Sequence, residues 1–216
     1  MQPGGEGHVG TVRVRLLHSM VRQRILKLAA TNPEYYNTEK FDAPINDMHA
    51  LYALSLFSCI PMWDSLPKMG IKLSEEEIAD YVALFRYIAH VLGIPTDWWA
   101  TSSKAKAFME SMYLYELEAN DTSRLLTYNF IKWIEDEPPV YISTGFIEAG
   151  SRWVNGHEIC DTIGLKHPGP LPYAVFAGHN VIVSTMAFAQ KLSPKLDAFM
   201  VKVCYFCNLL NLTDGA

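Results

Sequence analysis

From Val9 to Ala30 the chain is apolar at most positions of a would-be helix: Val9, Val12, Leu16, Leu17, Met20, Val21, Ile25 and Leu28 leave one polar stripe of Thr11, Arg15, His18 and Arg22. A helix apolar on nearly every side is expected to be surrounded by protein, so the stripe is expected to face inward. The next periodic segment opens after Pro44, with Asn46 or Asp47 as its cap, and ends before Pro61. On it His49 shares a face with Ile45, Tyr52, Ala53 and Leu56, an imidazole on an apolar surface. Both histidines are therefore expected to be buried.

Further along, Ser74 followed by Glu77 is a capping-box pattern that opens a third helix, and Gly93 closes it. A fourth helix is expected from near Ser103 and a fifth from near Asp121, the latter stopped by the proline pair after Glu135. The sixth covers about Thr144 to Ile163, and two more follow, separated at Ser193 and Pro194. No strand series, internal repeat or low-complexity segment is present. The pattern predicts an all-α, single-domain helical bundle of about seven or eight helices. Residues 1–8 are expected to be a flexible glycine-rich lead-in and residues 9–216 the helical domain, with Glu6 in a loop.

Composition narrows the function classes. The chain has 216 residues, half of them hydrophobic, enough for one substantial core. A formal net charge of −5 with no long basic run excludes a nucleic-acid partner, which needs clustered Lys and Arg. Cys59, Cys160, Cys204 and Cys207 are too few and too scattered for a disulfide framework, and Cys204 and Cys207 sit in an apolar helical stretch, so that pair is expected to be two small buried hydrophobes and the compartment to be reducing. No signal peptide is evident. The charge-free stretch from Leu171 to Ala189 is interrupted by Pro172, Gly178, His179 and Asn180, which favours a buried helix over a membrane span.

Buried arginines need an anionic partner, and Arg15 and Arg22 beside His18 call for one such as a cofactor carboxylate. The series Arg15-Leu16-Leu17-His18-Ser19, Arg22, then Pro44-Ile45-Asn46-Asp47-Met48-His49-Ala50, then Phe85 to Pro95, resembles the catalytic domain shared by the latex-clearing rubber oxygenases and the fungal oxygenase of mycophenolic acid biosynthesis. The resemblance implies an all-helical domain of heme-pocket type that binds heme b. It makes His49 the proximal iron ligand and Ala53, one turn on, small enough for a macrocycle to lie against. Arg15, His18 and Ser19 would belong to the distal, catalytic side, and Arg22 would pair a heme propionate or serve that side too. Where the rubber oxygenases have a lysine and a threonine, this chain has His18 and Ser19. His18 as a sixth iron ligand and His18 as a hydrogen-bond partner of dioxygen both stay open. The family also has an acidic residue on a helix upstream of the arginine, and the domain at residues 9–216 is expected to lack that helix.

The implied activity is a heme-dependent oxidative cleavage, by dioxygen, of an apolar, unsaturated, isoprenoid-like substrate. Tyr52, Phe57, Phe85, Tyr87 and Trp98 could line its pocket or an ordinary core. Two alternatives are a heme protein ligated by both His18 and His49 without oxygenase activity, and a helical binding or scaffold domain that has lost the cofactor. The protein is expected in the cytoplasm or associated peripherally with a membrane. Other residues carry less. His157 and Asp161 share a helix face but make no metal site, His90 stands either on an ordinary polar face or beside the heme pocket, His167 lies in a proline-rich loop, and His179 is a candidate for lining a substrate channel.

Overall fold

The computed structural model describes residues 2–116, 118–137 and 141–213, with side chains in the last helix described as far as residue 204. Every regular element among them is helical: α1 (Glu6–Thr31), α2 (Thr38–Phe41), α3 (Asp47–Ile60), α4 (Leu66–Lys68), α5 (Glu75–Leu92), α6 (Ser102–Tyr115), α7 (Asp121–Ile134), α8 (Thr144–Asn155), α9 (His157–Thr162), α10 (Pro170–Leu192) and α11 (Pro194–Thr213). The all-α class read from the sequence is the class adopted. Its contacts form two compact units, Met1–Ser65 with Leu73–Glu118, and Leu66–Lys72 with Ala119–Ala216.

In the first unit the core lies among α3, α5 and α6, where Leu51, Leu54, Cys59, Val82, Ala89, Ala105, Phe108 and Met109 are buried. Trp99 is buried with them, and its indole N–H donates to Ser58 Oγ at 3.0 Å while Ser58 donates to the Leu54 carbonyl at 2.7 Å. Each buried polar atom in that relay has its partner, which keeps the burial from costing stability. Beyond α3 the helical path does not stop at Pro61, as the sequence suggested, but continues as a π turn over Pro61–Ser65. The wider turn shifts the hydrogen-bond register at the residue that has no N–H to donate. For α5 the capping box is present in both directions, Glu77 N–H to Ser74 Oγ at 3.2 Å and Ser74 N–H to Glu77 Oε2 at 2.6 Å. Gly93 ends that helix in left-handed backbone at φ +79°.

The first helix differs from its expectation in two ways. It begins at Glu6, which stands in its first turn after Gly5, so Glu6 is helical and the lead-in is shorter than eight residues. No residue of α1 is buried, and Leu16, Leu17 and Met20 are exposed. The polar stripe does face its own unit; of the apolar positions Val12 and Ile25 are half-buried and the others are exposed. Periodicity identifies faces, but on a helix apolar most of the way round it does not say which face docks.

In the second unit Ile131, Cys160 and Leu165 form a small core with Ile147 and Ile163. The expected sixth helix is two, α8 and α9, because Gly156 takes φ +83° between them. The α8 and α10 helices approach closely at Gly150, where an added Cβ would lie 2.5 Å from the Phe176 ring. On α10 only Phe176 and Asn180 are buried, and Val181, Ile182 and Phe188 are exposed, so the stretch read as a buried helix is mostly an open apolar surface. By length and composition alone it could cross a membrane. Cys204, expected to be buried, is exposed, and the side chain of Cys207 lies outside the described residues; Cys59 and Cys160 are buried.

Candidate functional site

The polar stripe of α1 is tied to two other elements of the first unit through backbone carbonyls. Arg15 Nη1 donates to the Val91 carbonyl at 3.1 Å, at the negative end of the α5 dipole. Its guanidinium lies over Gly93, where an added Cβ would come within 2.9 Å of Arg15 Cζ, so the close approach requires glycine. Two turns along α1, Arg22 Nε donates to the Pro44 carbonyl at 3.0 Å and Arg22 Nη2 donates to the Ile45 carbonyl. Ile45 takes φ +52°, a left-handed conformation that a β-branched residue rarely accepts.

Between these anchors lies a cavity of about 240 Å³ lined by Arg15, His18, Ser19 and Arg22 from α1, by Ile45 and the start of α3 at Asp47 and Ala50, and by the end of α5 at Leu92 with Gly93 and Ile94 beyond it. Four of the site residues read from the sequence therefore share one cavity. His18 is half-buried there, and its ring has no hydrogen-bond partner among the described residues. Two guanidinium groups against one carboxylate give the lining an excess of fixed positive charge.

His49 and Ala53 stand elsewhere. The Asn46 side chain accepts the His49 backbone N–H at 3.0 Å and so caps α3, but the His49 ring is exposed and does not line the cavity. It shares an open apolar face with Ala53, Leu56 and Phe57. The expectation of a buried His49 is corrected: α3 buries Leu51, Leu54, Ser55 and Ser58, the opposite set at the same helical spacing. Nor do the candidate aromatics line one pocket. Tyr52 and Trp98 pack on Phe108, Phe85 packs on Tyr81, and Tyr87 accepts or donates a hydrogen bond with His8 Nδ1 at 3.0 Å.

The second unit holds a polar cluster in which His157, Asp161 and His167, weighed singly in the sequence, meet Arg152 and Glu148, which the sequence reading missed. Arg152 is 2% exposed; its Nε donates to the Lys166 carbonyl at 2.8 Å, Nη2 donates to the Leu165 carbonyl, and Nη2 pairs with Asp161 Oδ1 at 2.7 Å. The Arg152 guanidinium holds the Asp161 carboxyl below the usual range. Asp161 also meets His167 Nε2 at 2.9 Å, and the His157 and His167 rings stack at 5.9 Å. His157 Nδ1 lies 3.4 Å from Arg152 Nη1, and since a guanidinium only donates, Nδ1 must be the accepting nitrogen. Glu148, buried one turn before Arg152, accepts the Lys166 N–H at 3.2 Å. For Glu148 and Arg152 the sequence signal was their spacing of four on an otherwise small and apolar face. Burial pushes the thiol of nearby Cys160 up, which makes it unreactive.

Among the described residues no group of three His, Cys, Asp or Glu side chains could hold a metal ion. The model of the family described as ER-bound oxygenase mpaB/B′/Rubber oxygenase, catalytic domain, matches residues 1–185. No curated protein and no solved structure matches the chain.

Proposed function

Because the chain belongs to the family of the mpaB and rubber oxygenase catalytic domain, we propose that it is a heme-dependent oxygenase acting on an apolar, unsaturated, isoprenoid-like substrate. The observation that carries the proposal is His49: an imidazole without a ring hydrogen bond among the described residues, on an open apolar face beside Ala53, Leu56 and Phe57. The residues fit a flat macrocycle better than a lone ion. A porphyrin supplies most of its iron's donors itself, so from the protein it would need an imidazole nitrogen and an apolar wall. When bound, the heme supplies the activation of dioxygen.

The residues of this chain then divide the remaining work. His49 would hold the cofactor through an imidazole nitrogen. Arg15 keeps a fixed positive charge in the α1 cavity, oriented by its bond to the Val91 carbonyl, where negative charge developing on a reacting group would be stabilised. His18 and Ser19 offer hydrogen-bonding groups in the same cavity. Arg22 already uses Nε and Nη2 on backbone carbonyls, which leaves Nη1 for an anionic cofactor or substrate group.

The test is a titration of the purified chain with hemin, followed by absorption spectroscopy and by product analysis with prenylated substrates under air and under nitrogen. A Soret band that saturates at one heme per chain and oxygen-dependent cleavage products are expected. A chain that leaves the hemin spectrum unchanged would overturn the proposal. Association with a membrane is proposed as well, supported by the open apolar surface of α10 and the ER-bound family description. Flotation with liposomes is the expected outcome, and a chain that stays in the aqueous fraction would refute it.

A further inference from the structure

We propose that Arg22 is a positioning residue for His49: by bridging the carbonyls of Pro44 and Ile45 it holds Ile45 in left-handed backbone and so sets where the first turn of α3 begins. Its consequence for the cofactor rests on the reading of His49 as the axial ligand. The order of residues is short. Arg22 grips two consecutive carbonyls, Ile45 turns at φ +52°, Asn46 caps the helix by accepting the His49 N–H, and His49 is the third residue of α3.

Ile45 would relax from that conformation if it were free to, because its branched Cβ crowds the backbone there. A planar fork with two parallel donors is suited to hold two adjacent carbonyls pointing the same way, and Arg22 provides that fork from a neighbouring helix. The same device recurs in the second unit. Arg152 Nε and Nη2 bridge the consecutive carbonyls of Lys166 and Leu165. There the left-handed residue just before the gripped pair is Gly164, at φ +81°, which adopts it without strain. Ile45 has no such freedom, so its geometry depends on the arginine.

The experiment compares the full chain with Arg22→Gln, and with Arg22→Gln carrying Ile45→Gly, by amide hydrogen exchange and by hemin titration. In Arg22→Gln, exchange is expected to accelerate about tenfold in the first turn of α3 while α5 and α6 keep their protection, and hemin affinity to fall about tenfold, the size typical of losing a group that orients a metal ligand. A glycine at position 45 takes the left-handed conformation unaided, so the double variant is expected to recover part of both losses. A residue that merely added bulk stability would give no such recovery, since Ile45→Gly also removes side-chain packing. If Arg22→Gln does not fold, Arg22→Lys, which keeps the charge but not the planar fork, is measured in its place with smaller losses expected. Unchanged exchange in the first turn of α3, or no recovery in the double variant, overturns the proposal. Hydrogen exchange needs no heme: deprotection of α3 in a chain that does not bind hemin would leave the positioning role standing and remove the cofactor reading.

Discussion

Arg22 and Arg152 grip the backbone in the same way and stand in opposite settings. Arg152 is buried, its charge is met by Asp161 at 2.7 Å, and every direction it points in is filled by protein. Arg22 is half-buried beside a cavity, has no carboxylate in salt-bridge range among the described residues, and shares that cavity with Arg15 and His18. A guanidinium that is fully bonded and neutralised is part of the structure. One that is anchored by an edge and left with excess charge beside an opening is equipped to meet a ligand.

The largest expected effect breaks the comparison on the structural side. Arg152→Ala leaves the Leu165 and Lys166 carbonyls without donors and Asp161 without its main partner, which should destabilise the second unit by about 3 kcal/mol. Urea denaturation measures this, and hemin affinity should not change. A loss below about 1 kcal/mol would mean that Arg152 is not the structural anchor its burial implies.

On the other side of the comparison, His49→Ala should lower hemin affinity at least about tenfold. Because the ring is exposed, the cofactor-free chain should keep its stability within about 0.5 kcal/mol. His18→Ala is the sharper companion. His18 lines a cavity that His49 does not, so its removal is expected to leave heme content and ferric spin state unchanged and to affect turnover. Conversion from a low-spin to a high-spin ferric spectrum would instead make His18 an iron ligand and revive the bis-histidine alternative.

The contrast also shows what a sequence can reveal here. Several helix ends were legible from local rules: Ser74 with Glu77, Gly93, Asp121, and the break before Pro194 all stand where capping chemistry puts them, whereas Pro61 and Gly156 did not act as read. The stripe from Arg15 to Arg22 was legible because a polar row on an apolar helix has to be explained. Its partners were not, since they are the backbone carbonyls of Val91, Pro44 and Ile45, and a carbonyl carries no residue signature. The docked face of α3 was misread for a related reason: both of its faces are apolar, and only the neighbouring helices decide between them. Arg152 escaped notice because its grip is on the Leu165 and Lys166 carbonyls, beyond the helix that carries it.

A smaller effect tests how tightly the α1 cavity is built. Gly93→Ala puts a Cβ into left-handed backbone, at a cost of about 1 kcal/mol, and also into the space of the Arg15 guanidinium. The guanidinium is the far end of a flexible side chain and can move aside, so the fold should survive while Arg15 leaves the Val91 carbonyl. Thermal denaturation should record the modest loss. If Arg15 acts on the substrate from its anchored position, turnover should fall further than stability does, and equal, small effects on both would deny it that role.

The smallest effect is a pH dependence confined to the second unit. Asp161 titrates below the ordinary aspartate value of about 3.9 because Arg152 hydrogen-bonds to its ionised form, with His167 adding to the same effect. A carboxylate whose folded-state value is depressed binds protons less readily in the folded chain than in the unfolded one. Its stabilisation is therefore complete above the unfolded value and is lost as pH falls through the folded one. Stability of the wild-type chain minus that of Asp161→Asn should be constant above about pH 5 and shrink below about pH 4. Asp161 is half-exposed, so solvent screening keeps the difference small. Urea denaturation at a series of pH values measures it. A difference that stays level down to pH values where the wild-type carboxylate is protonated would show that Arg152 is held by the Leu165 and Lys166 carbonyls alone. The two arginine grips would then differ only in burial, and charge neutralisation would no longer separate the structural arginine from the one beside the cavity.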